Sequence, residues 1–185
     1  MEPVGKINKI YQEGLDLDRL IPVAEKNYKF QPQLTPKLDN HKGDYTETTL
    51  LEIILWKTNR YPELPEGLLK EINELRQEFT EVKARVLLRR LLTLKGFDLP
   101  MASTVLRFAC PDELQIIDQR VYRFIVDGAD TFKKPYNDEV KIEMYFKYLQ
   151  RLKQVCDQYK IPFSKSDRII YQLDKELNAE HPIKY

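Results

Sequence analysis

Cysteine and histidine are scarce, since the 185-residue chain contains two of each. The two thiols, Cys110 and Cys156, are too few to hold an iron–sulfur cluster through cysteine alone. Two cysteines and two histidines also make a poor set of zinc ligands. We therefore expect no bound metal and no cofactor. Two isolated cysteines also indicate a reducing compartment rather than a disulfide-bonded fold.

Glycine is scarce as well, and long apolar runs are absent. Six glycines leave little material for tight hairpins between strands, and no segment alternates apolar and polar residues as a half-buried strand would. No apolar run approaches the roughly 18 residues of a membrane span, and the opening residues, MEPVGKINKIYQEG, lack the apolar core of a signal peptide. These absences predict an all-α protein of the cytoplasm that does not associate with membranes.

The chain has no excess charge of either sign, with 30 basic and 29 acidic residues. Its overall charge therefore predicts neither nucleic-acid nor membrane binding, and any site for a polyanion must come from a local arrangement. The 42% of hydrophobic residues can build one sizeable core in a chain of this length. We expect a single helical domain over residues 1–185.

Capping residues and helix stops predict seven or eight helices. Asp44 and Glu47 have the spacing of a capping box, and Pro62 stops the helix that follows. Pro65 then suits the first turn of the next helix. The other expected helix boundaries are the N-terminal caps Thr80, Asp118, Asn137 and the Ser164–Asp167 box, and the C-terminal stops Gly96 and Gly128.

Apolar residues three or four positions apart predict which face of a helix is buried. Three such stripes stand out in the sequence. They are Leu68, Leu69, Ile72 and Leu75; Val140, Met144, Tyr148, Leu152 and Cys156 on a helix that ends near Tyr159; and Ile169, Leu173 and Leu177 near the C-terminus.

The stretch LKGFDLPMASTVLRF, residues 94–108, separates two helix-forming segments with a glycine, an aspartate and a proline. We expect one helix to end at Gly96 and the next to begin near Pro100. The spacing of small and apolar residues resembles the helix-hairpin-helix motif, here over about residues 81–110. The residues that carry this resemblance are Leu91, Leu94, Gly96, Asp98, Ala102, Val105 and Leu106.

In that motif, backbone amides of the turn and the positive end of the second helix hold a DNA phosphate without reading the base sequence. Asp98 stands where the motif usually has a second glycine. An aspartate can cap the second helix, but its charge repels a phosphate. A purely structural hairpin is therefore the alternative.

Local charge favours DNA binding by this region. Residues 76–107 contain seven basic and three acidic side chains, a net charge of +4 in a nearly neutral chain. A basic face supplies salt-sensitive affinity for DNA, although the same pattern is typical of a solvated helix face. The residues that we expect to contact double-stranded DNA are Lys95, Gly96, Phe97, Asp98, Leu99, Met101, Arg107 and Arg120.

The segment IIDQRVYR, residues 116–123, follows the hairpin closely. The combined run, about residues 85–125, resembles the DNA glycosylases of the endonuclease III kind, in which an essential aspartate begins a helix after the hairpin. Asp118 falls on that position, in a segment expected to form a helix over about residues 116–127. A carboxylate there stabilises the oxocarbenium-like transition state of N-glycosidic bond cleavage and orients the attacking water. The alternative is that Asp118 only caps its helix.

The same resemblance bears on two further positions. Some glycosylases of this superfamily also cut the DNA strand with a lysine of the second hairpin helix, but Pro100 stands at the corresponding position, and no lysine lies between Lys95 and Asp118. The resemblance therefore implies a monofunctional enzyme without lyase activity. In the family an early helix end lines the pocket, which assigns DNA contacts to Lys57, Asn59 and Arg60.

Three functions remain open at this point. The first is a base-excision repair enzyme, a DNA glycosylase that acts on a damaged or mispaired base and is associated with the nucleoid. The second is a non-catalytic helix-hairpin-helix module that only binds DNA. The third is a helical protein-interaction domain, because aromatic residues are common at protein interfaces. The tyrosines that suggest it are Tyr145, Tyr148, Tyr159 and Tyr171.

Overall fold

A computed structural model of the chain describes residues 16–59, 62, 64–126, 137–181 and 183. Within these residues the regular elements are nine α-helices and one short 3₁₀ turn, with no strand, which confirms the all-α prediction. The chain divides into two compact units, Met1–Tyr61 and Pro62–Tyr185. Each unit is described by itself, and the single domain expected from the sequence stays a prediction. None of the described helices is both long and apolar enough to cross a membrane.

The described residues of the first unit form three helices, α1 (Leu17–Asn27), α2 (Leu34–Asp39) and α3 (Glu47–Lys57). Helices α2 and α3 are joined by Trp56, whose indole Nε1 donates to the hydroxyl of Thr35 over 2.9 Å. The ring of Trp56 also meets the Phe30 ring edge-on at 5.1 Å between centroids. These contacts hold the partly buried α3 tryptophan against the residues before and within α2.

The start of α3 corrects the predicted capping box. Thr46 is the N-cap, and its hydroxyl accepts from the amide of Thr49 over 3.1 Å. The Thr49 hydroxyl accepts in return from the amide of Thr46 over 3.4 Å. Asp44 lies two residues too early to cap the helix, because the threonine pair satisfies these amides instead.

In the part of the second unit that the structure describes there are six helices and the 3₁₀ turn Phe163–Lys165. The helices are α4 (Leu68–Gln77), α5 (Glu81–Leu92), α6 (Leu99–Ala109), α7 (Gln119–Ile125), α8 (Asp138–Tyr159) and α9 (Ser166–Leu177). Leucines of α4, α5 and α6 form one continuous core with aromatic residues of α8. Helix α8 packs beside α5 and α7, and α9 packs against α7. The fully buried large side chains of this unit include Leu75, Leu87, Leu88, Leu91, Leu106, Leu114, Ile117, Ile142 and Tyr145.

Two boundaries in this unit differ from the sequence prediction. Helix α4 begins only after Gly67, which has a φ of 79°, so Pro65 precedes the helix instead of lying in its first turn. Helix α5 ends at Leu92, because the amides of Thr93 and Leu94 bond to carbonyls three residues back and tighten the chain. Gly96 therefore lies in the following turn and is not the residue next to the helix end.

The buried stripes are partly different from those predicted. Leu69 of α4 is 62% exposed, and Val140 of α8 is 52% exposed. The first half of α8 buries Ile142, Tyr145 and Phe146 instead, whereas its second half buries the predicted Tyr148, Leu152 and Cys156. Asn137 caps α8 as predicted, and its side-chain oxygen accepts from the amides of Glu139 and Val140.

Helix α9 shows the largest difference. It begins at Ser166 without a side-chain cap, so the predicted Ser164–Asp167 capping box does not form. Its buried residues are Ser166, Asp167, Ile170 and Asp174, whereas Leu177 is 70% exposed. The two carboxylates turn inward because they pair with arginines from other helices, Asp167 with Arg107 and Asp174 with Arg120 and Arg123. Gly128, predicted to stop α7, lies outside the described residues, and α7 ends at Ile125.

Candidate functional site

Helices α5 and α6 form a capped hairpin. Thr80 begins α5 as predicted, with its hydroxyl accepting from the amide of Lys83 over 3.2 Å. Asp98 begins α6, with Oδ1 accepting from the amide of Leu99 over 2.8 Å. Between the helices Gly96 has a φ of 82°, in the left-handed region that costs glycine no steric clash. Side-chain caps and this glycine therefore fix the path of the turn.

The amides near the turn are partly used inside the hairpin. The amide of Phe97 donates to the carbonyl of Leu94 over 3.0 Å, and that of Leu99 donates to the Asp98 side chain. Pro100 has no N–H group to offer. These contacts leave fewer backbone donors for a phosphate than the resemblance implies.

The predicted DNA-binding residues of the hairpin differ in exposure. Lys95 and Gly96 are exposed, and Met101 is 51% exposed. Leu99 is fully buried, and Phe97 packs against the core. Of the residues predicted to bind DNA in the hairpin, the exposed ones are therefore Lys95 and Gly96 in the turn and Met101 in the first turn of α6.

The predicted basic face of α5 is largely neutralised. Arg89 binds Glu139 of α8 through two hydrogen bonds of 2.5 and 2.7 Å, and the hydrogen bond from Arg89 lowers the pKa of the Glu139 carboxyl. Arg85 pairs with Glu143 of α8 at 2.5 Å. Three more basic residues of this stretch also form ion pairs, which are Lys83–Glu78, Arg90–Glu71 and Arg107–Asp167. The sequence therefore overstates the free positive charge of this surface.

Arg107 and Arg120 lie in contacts between helices. Arg107 is 7% exposed, its Nε lies 3.2 Å from Asp167 Oδ2, and its Nη2 donates to the carbonyl of Ser164 over 3.0 Å. Arg120 Nη1 lies 3.1 Å from Asp174 Oδ2. Both guanidinium groups thus hold α9 against α6 and α7. A DNA contact by either arginine would require breaking its ion pair with α9.

Asp118 is the N-cap of α7, as predicted. Its Oδ1 accepts from the amide of Arg120 over 2.7 Å, and its side chain is half-buried. Its backbone is extended, with φ of −117° and ψ of 150°. One carboxylate oxygen is thereby committed to the helix start, while a carboxylate has a second oxygen with acceptor capacity of its own.

The segment before Asp118 is fixed by three hydrogen bonds from two different helices. The amide of Ile117 donates to Ser103 Oγ of α6 over 3.2 Å. The hydroxyls of Tyr145 and Tyr148, both in α8, donate to the carbonyls of Gln115 and Ile116 over 2.9 and 2.6 Å. Asp118 therefore follows a segment that is tied directly to the second hairpin helix.

Sequence reasoning missed Ser103 and assigned Tyr145 and Tyr148 to a partner surface, whereas all three hydroxyls bond to the segment before Asp118. Burial raises the pKa of both tyrosines, so their hydroxyl groups stay protonated and able to donate. Ser103 is fully buried beside Ala102 in an otherwise apolar stripe of α6. A lone hydroxyl in such a stripe is a signal that a buried backbone group needs a partner. Because Tyr145 and Tyr148 are buried, only Tyr159 and Tyr171 of the suggested aromatic surface are exposed.

Two of the grooves in the described part of the second unit lie beside α7 and α8. One has a volume of about 620 Å³ and lies between α7 and α8, where Tyr122, Met144 and Lys147 line it. The other has a volume of about 660 Å³ and lies among α7, α8 and α9, where Phe124, Val155 and other apolar residues line it. Asp118 lines neither groove.

The early polar residues lie in the first unit. Lys57 is the last residue of α3 and is exposed. Asn59 is exposed and has a φ of 54°, and its side-chain oxygen accepts from Gln31 Nε2 over 2.5 Å. Arg60 lies outside the described residues. The DNA contacts expected from these residues stay predictions.

The second unit thus contains a hairpin whose two helices begin with side-chain caps, and several ion pairs between helices. It also contains the Asp118 carboxylate, which follows a segment held by hydrogen bonds to α6 and α8. Comparison with known protein families, with curated proteins and with solved structures finds no match to this chain. The function is therefore inferred from the residues and their contacts.

Proposed function

We propose that the chain binds double-stranded DNA through a helix-hairpin-helix formed by α5 and α6, and that it is a monofunctional DNA glycosylase. In this proposal it hydrolyses the N-glycosidic bond of a damaged or mispaired base, with Asp118 as the catalytic carboxylate. The observation that carries the proposal is the hydrogen bond from Ile117 to Ser103. Through it, the second hairpin helix holds the residue immediately before Asp118, so DNA bound at the hairpin has a carboxylate in a fixed place.

In the proposed complex the hairpin contacts the DNA backbone through the exposed Lys95, the glycine turn and the positive end of α6. Such an end attracts a phosphate whatever the base sequence. Because most arginines of α5 are paired with glutamates, few counterions are released on binding. We expect a slope of log affinity against log salt of about −1 to −2, as for one or two phosphate contacts.

Asp118 contributes negative charge where positive charge develops during the reaction. Water attacks the sugar carbon as the bond to the base breaks, and the proton that the water loses ends on the departing base. The carboxylate stabilises the oxocarbenium-like sugar and orients the water. Capping of α7 by Oδ1 leaves the second carboxylate oxygen for this role. Helix α6 contains no lysine that could form a Schiff base, so the product is an intact abasic site.

The test is a base-release assay on duplexes that each carry one lesion or mismatch. Wild type is compared with Asp118→Asn and Asp118→Ser, because both replacements retain a side chain that caps helices well. Alkali after the reaction reveals abasic sites, and omission of alkali reveals strand cleavage by the protein itself. We expect release by wild type only, and strand breaks only after alkali.

A second candidate is a DNA-binding module without catalysis. The observation that favours it is that Asp118 caps α7 and lines neither of the two grooves beside α7 and α8. In that case wild type and both Asp118 variants bind duplex DNA alike, and none of them releases a base from any duplex. The same assay therefore separates the two candidates.

A further inference from the structure

Helix α3 exposes an apolar face. Its opposite face meets α2, through Trp56 and through the ion pair between Glu52 and Lys37. Four large apolar side chains on the rest of the helix are 36–54% exposed. They are Leu50, Leu51, Ile54 and Leu55. Single exposed leucines are normal on a protein surface, but four within two turns of one helix form a contiguous patch, and such patches mark interaction sites.

The two ends of this face carry charges of opposite sign. Glu47 is the first residue of α3 and Lys57 is the last. Both side chains are exposed, and neither forms an ion pair with any residue that the structure describes. The stripe between them has spacings of three, four and three residues, as in the seam of a coiled coil. It consists of Glu47, Leu50, Ile54 and Lys57.

We propose that α3 binds the α3 of a second copy of this chain in a two-fold symmetric, antiparallel helix pair. A two-fold axis beside the middle of α3 places Glu47 of each copy opposite Lys57 of the other. The same axis places Leu50 opposite Ile54. The inference concerns the first unit and does not depend on the proposed function. It gives Lys57 a protein partner in place of the DNA contact expected from the sequence.

The charges favour an antiparallel pair of copies over other arrangements. In a parallel pair equal residues face each other, so Glu47 would meet Glu47 and Lys57 would meet Lys57. An antiparallel pair brings opposite charges together at both ends and apolar side chains together between them. The two charges lie about 15 Å apart, since an α-helix rises about 1.5 Å per residue. A partner that satisfies both ends has the same charges at the same separation in reverse order, and a second α3 meets this condition.

The contact is small, so we expect the association to be weak. Helix α3 has 11 residues. A pair of such helices buries less than the roughly 800 Å² per partner of a standard interface, even with Leu51 and Leu55 beside the seam. We therefore expect a monomer–dimer equilibrium with a dissociation constant of about 10–100 µM.

The test is sedimentation velocity of the full chain from about 5 to about 500 µM, a range that brackets the expected dissociation constant. The variants are Glu47→Lys, Lys57→Glu and the chain with both changes. Each single reversal places like charges at both ends of the pair, and we expect it to weaken dimerisation at least about tenfold. The double reversal restores opposite charges and should dimerise within about threefold of wild type.

A mixture of the two single variants separates charge pairing from misfolding. The Glu47→Lys chain carries lysines at both ends of α3, and the Lys57→Glu chain carries glutamates at both ends. We expect the mixture to form dimers at concentrations where each variant alone is monomeric. A misfolded chain would not be rescued in this way. In a parallel pair, a single reversal would only exchange one pair of like charges for another, so it would not weaken the association.

Two controls match these changes elsewhere in the chain. Lys175 is also an exposed lysine in the last turn of a helix, α9, so Lys175→Glu disturbs a helix dipole as Lys57→Glu does and should leave dimerisation unchanged. Ile54→Lys puts a charge in the middle of the seam and should abolish the dimer. Leu69→Lys, at an exposed leucine of α4, should not.

A wild-type protein that stays monomeric at every concentration would overturn the inference. Dimers that survive Ile54→Lys would overturn it as well, because they would form through another surface. Single reversals that dimerise like wild type, or a mixture that stays monomeric, would contradict the pairing of Glu47 with Lys57. Base release and duplex affinity are measured separately, so each of these failures is distinguishable from a failure of the proposed function.

Discussion

The amide of Ile117 donates a hydrogen bond to the hydroxyl of Ser103, 14 positions earlier in the chain. Both residues are fully buried, and the Ser103 hydroxyl donates in turn to the carbonyl of Pro100 in the first turn of α6. One serine therefore connects the start of the second hairpin helix to the residue that precedes Asp118. The position of the carboxylate relative to the hairpin depends on this contact.

Ser103→Ala is expected to destabilise the protein by about 1–3 kcal/mol, because the buried amide of Ile117 loses its acceptor. Thr104→Ala is the matched control, since Thr104 also donates to the carbonyl of Pro100, over 2.8 Å, but is only half-buried. Urea unfolding of the two variants gives the free energies. An equal loss of unfolding free energy in both variants would show that the hydrogen bond from Ile117 to Ser103 does not stabilise the fold.

The buried carboxylate of Asp174 predicts a pH-dependent stability. Its burial raises its pKa, but hydrogen bonds from Arg123, Asn178 and Arg120 outweigh this effect, and the pKa lies below the ordinary 3.8. A carboxyl with a lowered pKa stabilises the fold above its unfolded pKa, and this contribution disappears as the pH falls through the folded value.

Asp174→Asn removes this charge and leaves two arginines without their anion. We expect a loss of about 3–5 kcal/mol at neutral pH and a smaller difference from wild type as the pH falls below about 4. The exposed Asp112→Asn is the control and should track wild type throughout. A difference for Asp174→Asn that stays constant down to pH 2 would contradict the assigned pKa direction.

Gly96 is required for its backbone conformation and not for lack of space. An added Cβ would meet no atom within 4 Å, but the φ of 82° strains any residue with a side chain. Gly96→Ala should therefore cost about 1–2 kcal/mol by thermal or urea unfolding. Gly43→Ala is equally free of clashes and has no left-handed φ, so it should cost nothing or stabilise slightly. Equal effects at the two glycines would contradict the strain argument.

Ion pairing predicts which basic residues would give the proposed DNA binding its salt dependence. Lys95 has no ion pair within the described part of the chain, whereas Arg89 is bound by Glu139. Lys95→Met should reduce the salt slope by about 1, the value for one lost phosphate contact, and Arg89→Met should leave it unchanged. The measurement is duplex affinity at several salt concentrations. A larger loss of slope for Arg89→Met would show that the glutamate partner is displaced by DNA.

The sequence predicts three of the helix caps of this protein, whereas the caps expected at Asp44 and Ser164 do not form. Thr80, Asp118 and Asn137 cap their helices as expected, because a cap depends on amides two or three residues away. The all-α class follows in the same way, since glycine is scarce and the sequence lacks strand-like alternation and long apolar runs. These features need no knowledge of the tertiary structure.

Features set by distant residues could not be predicted in this way. Helix α9 buries Asp167 and Asp174, which a hydrophobic pattern assigns to the surface, because arginines from α6 and α7 pair with them. The basic face of α5 is cancelled by Glu139 and Glu143, about 50 positions further along the chain. Charge counted within a short segment misses such partners.

The most direct measurement is single-turnover release of a base from a lesion-containing duplex, with wild type and Asp118→Asn both in excess over DNA. We expect release by wild type, a rate about 100- to 1000-fold lower for Asp118→Asn, and equal DNA affinity and melting temperature for the two proteins. Equal rates would contradict the catalytic role of Asp118. No release by wild type from any duplex, with binding intact, would contradict the glycosylase and leave a protein that only binds DNA.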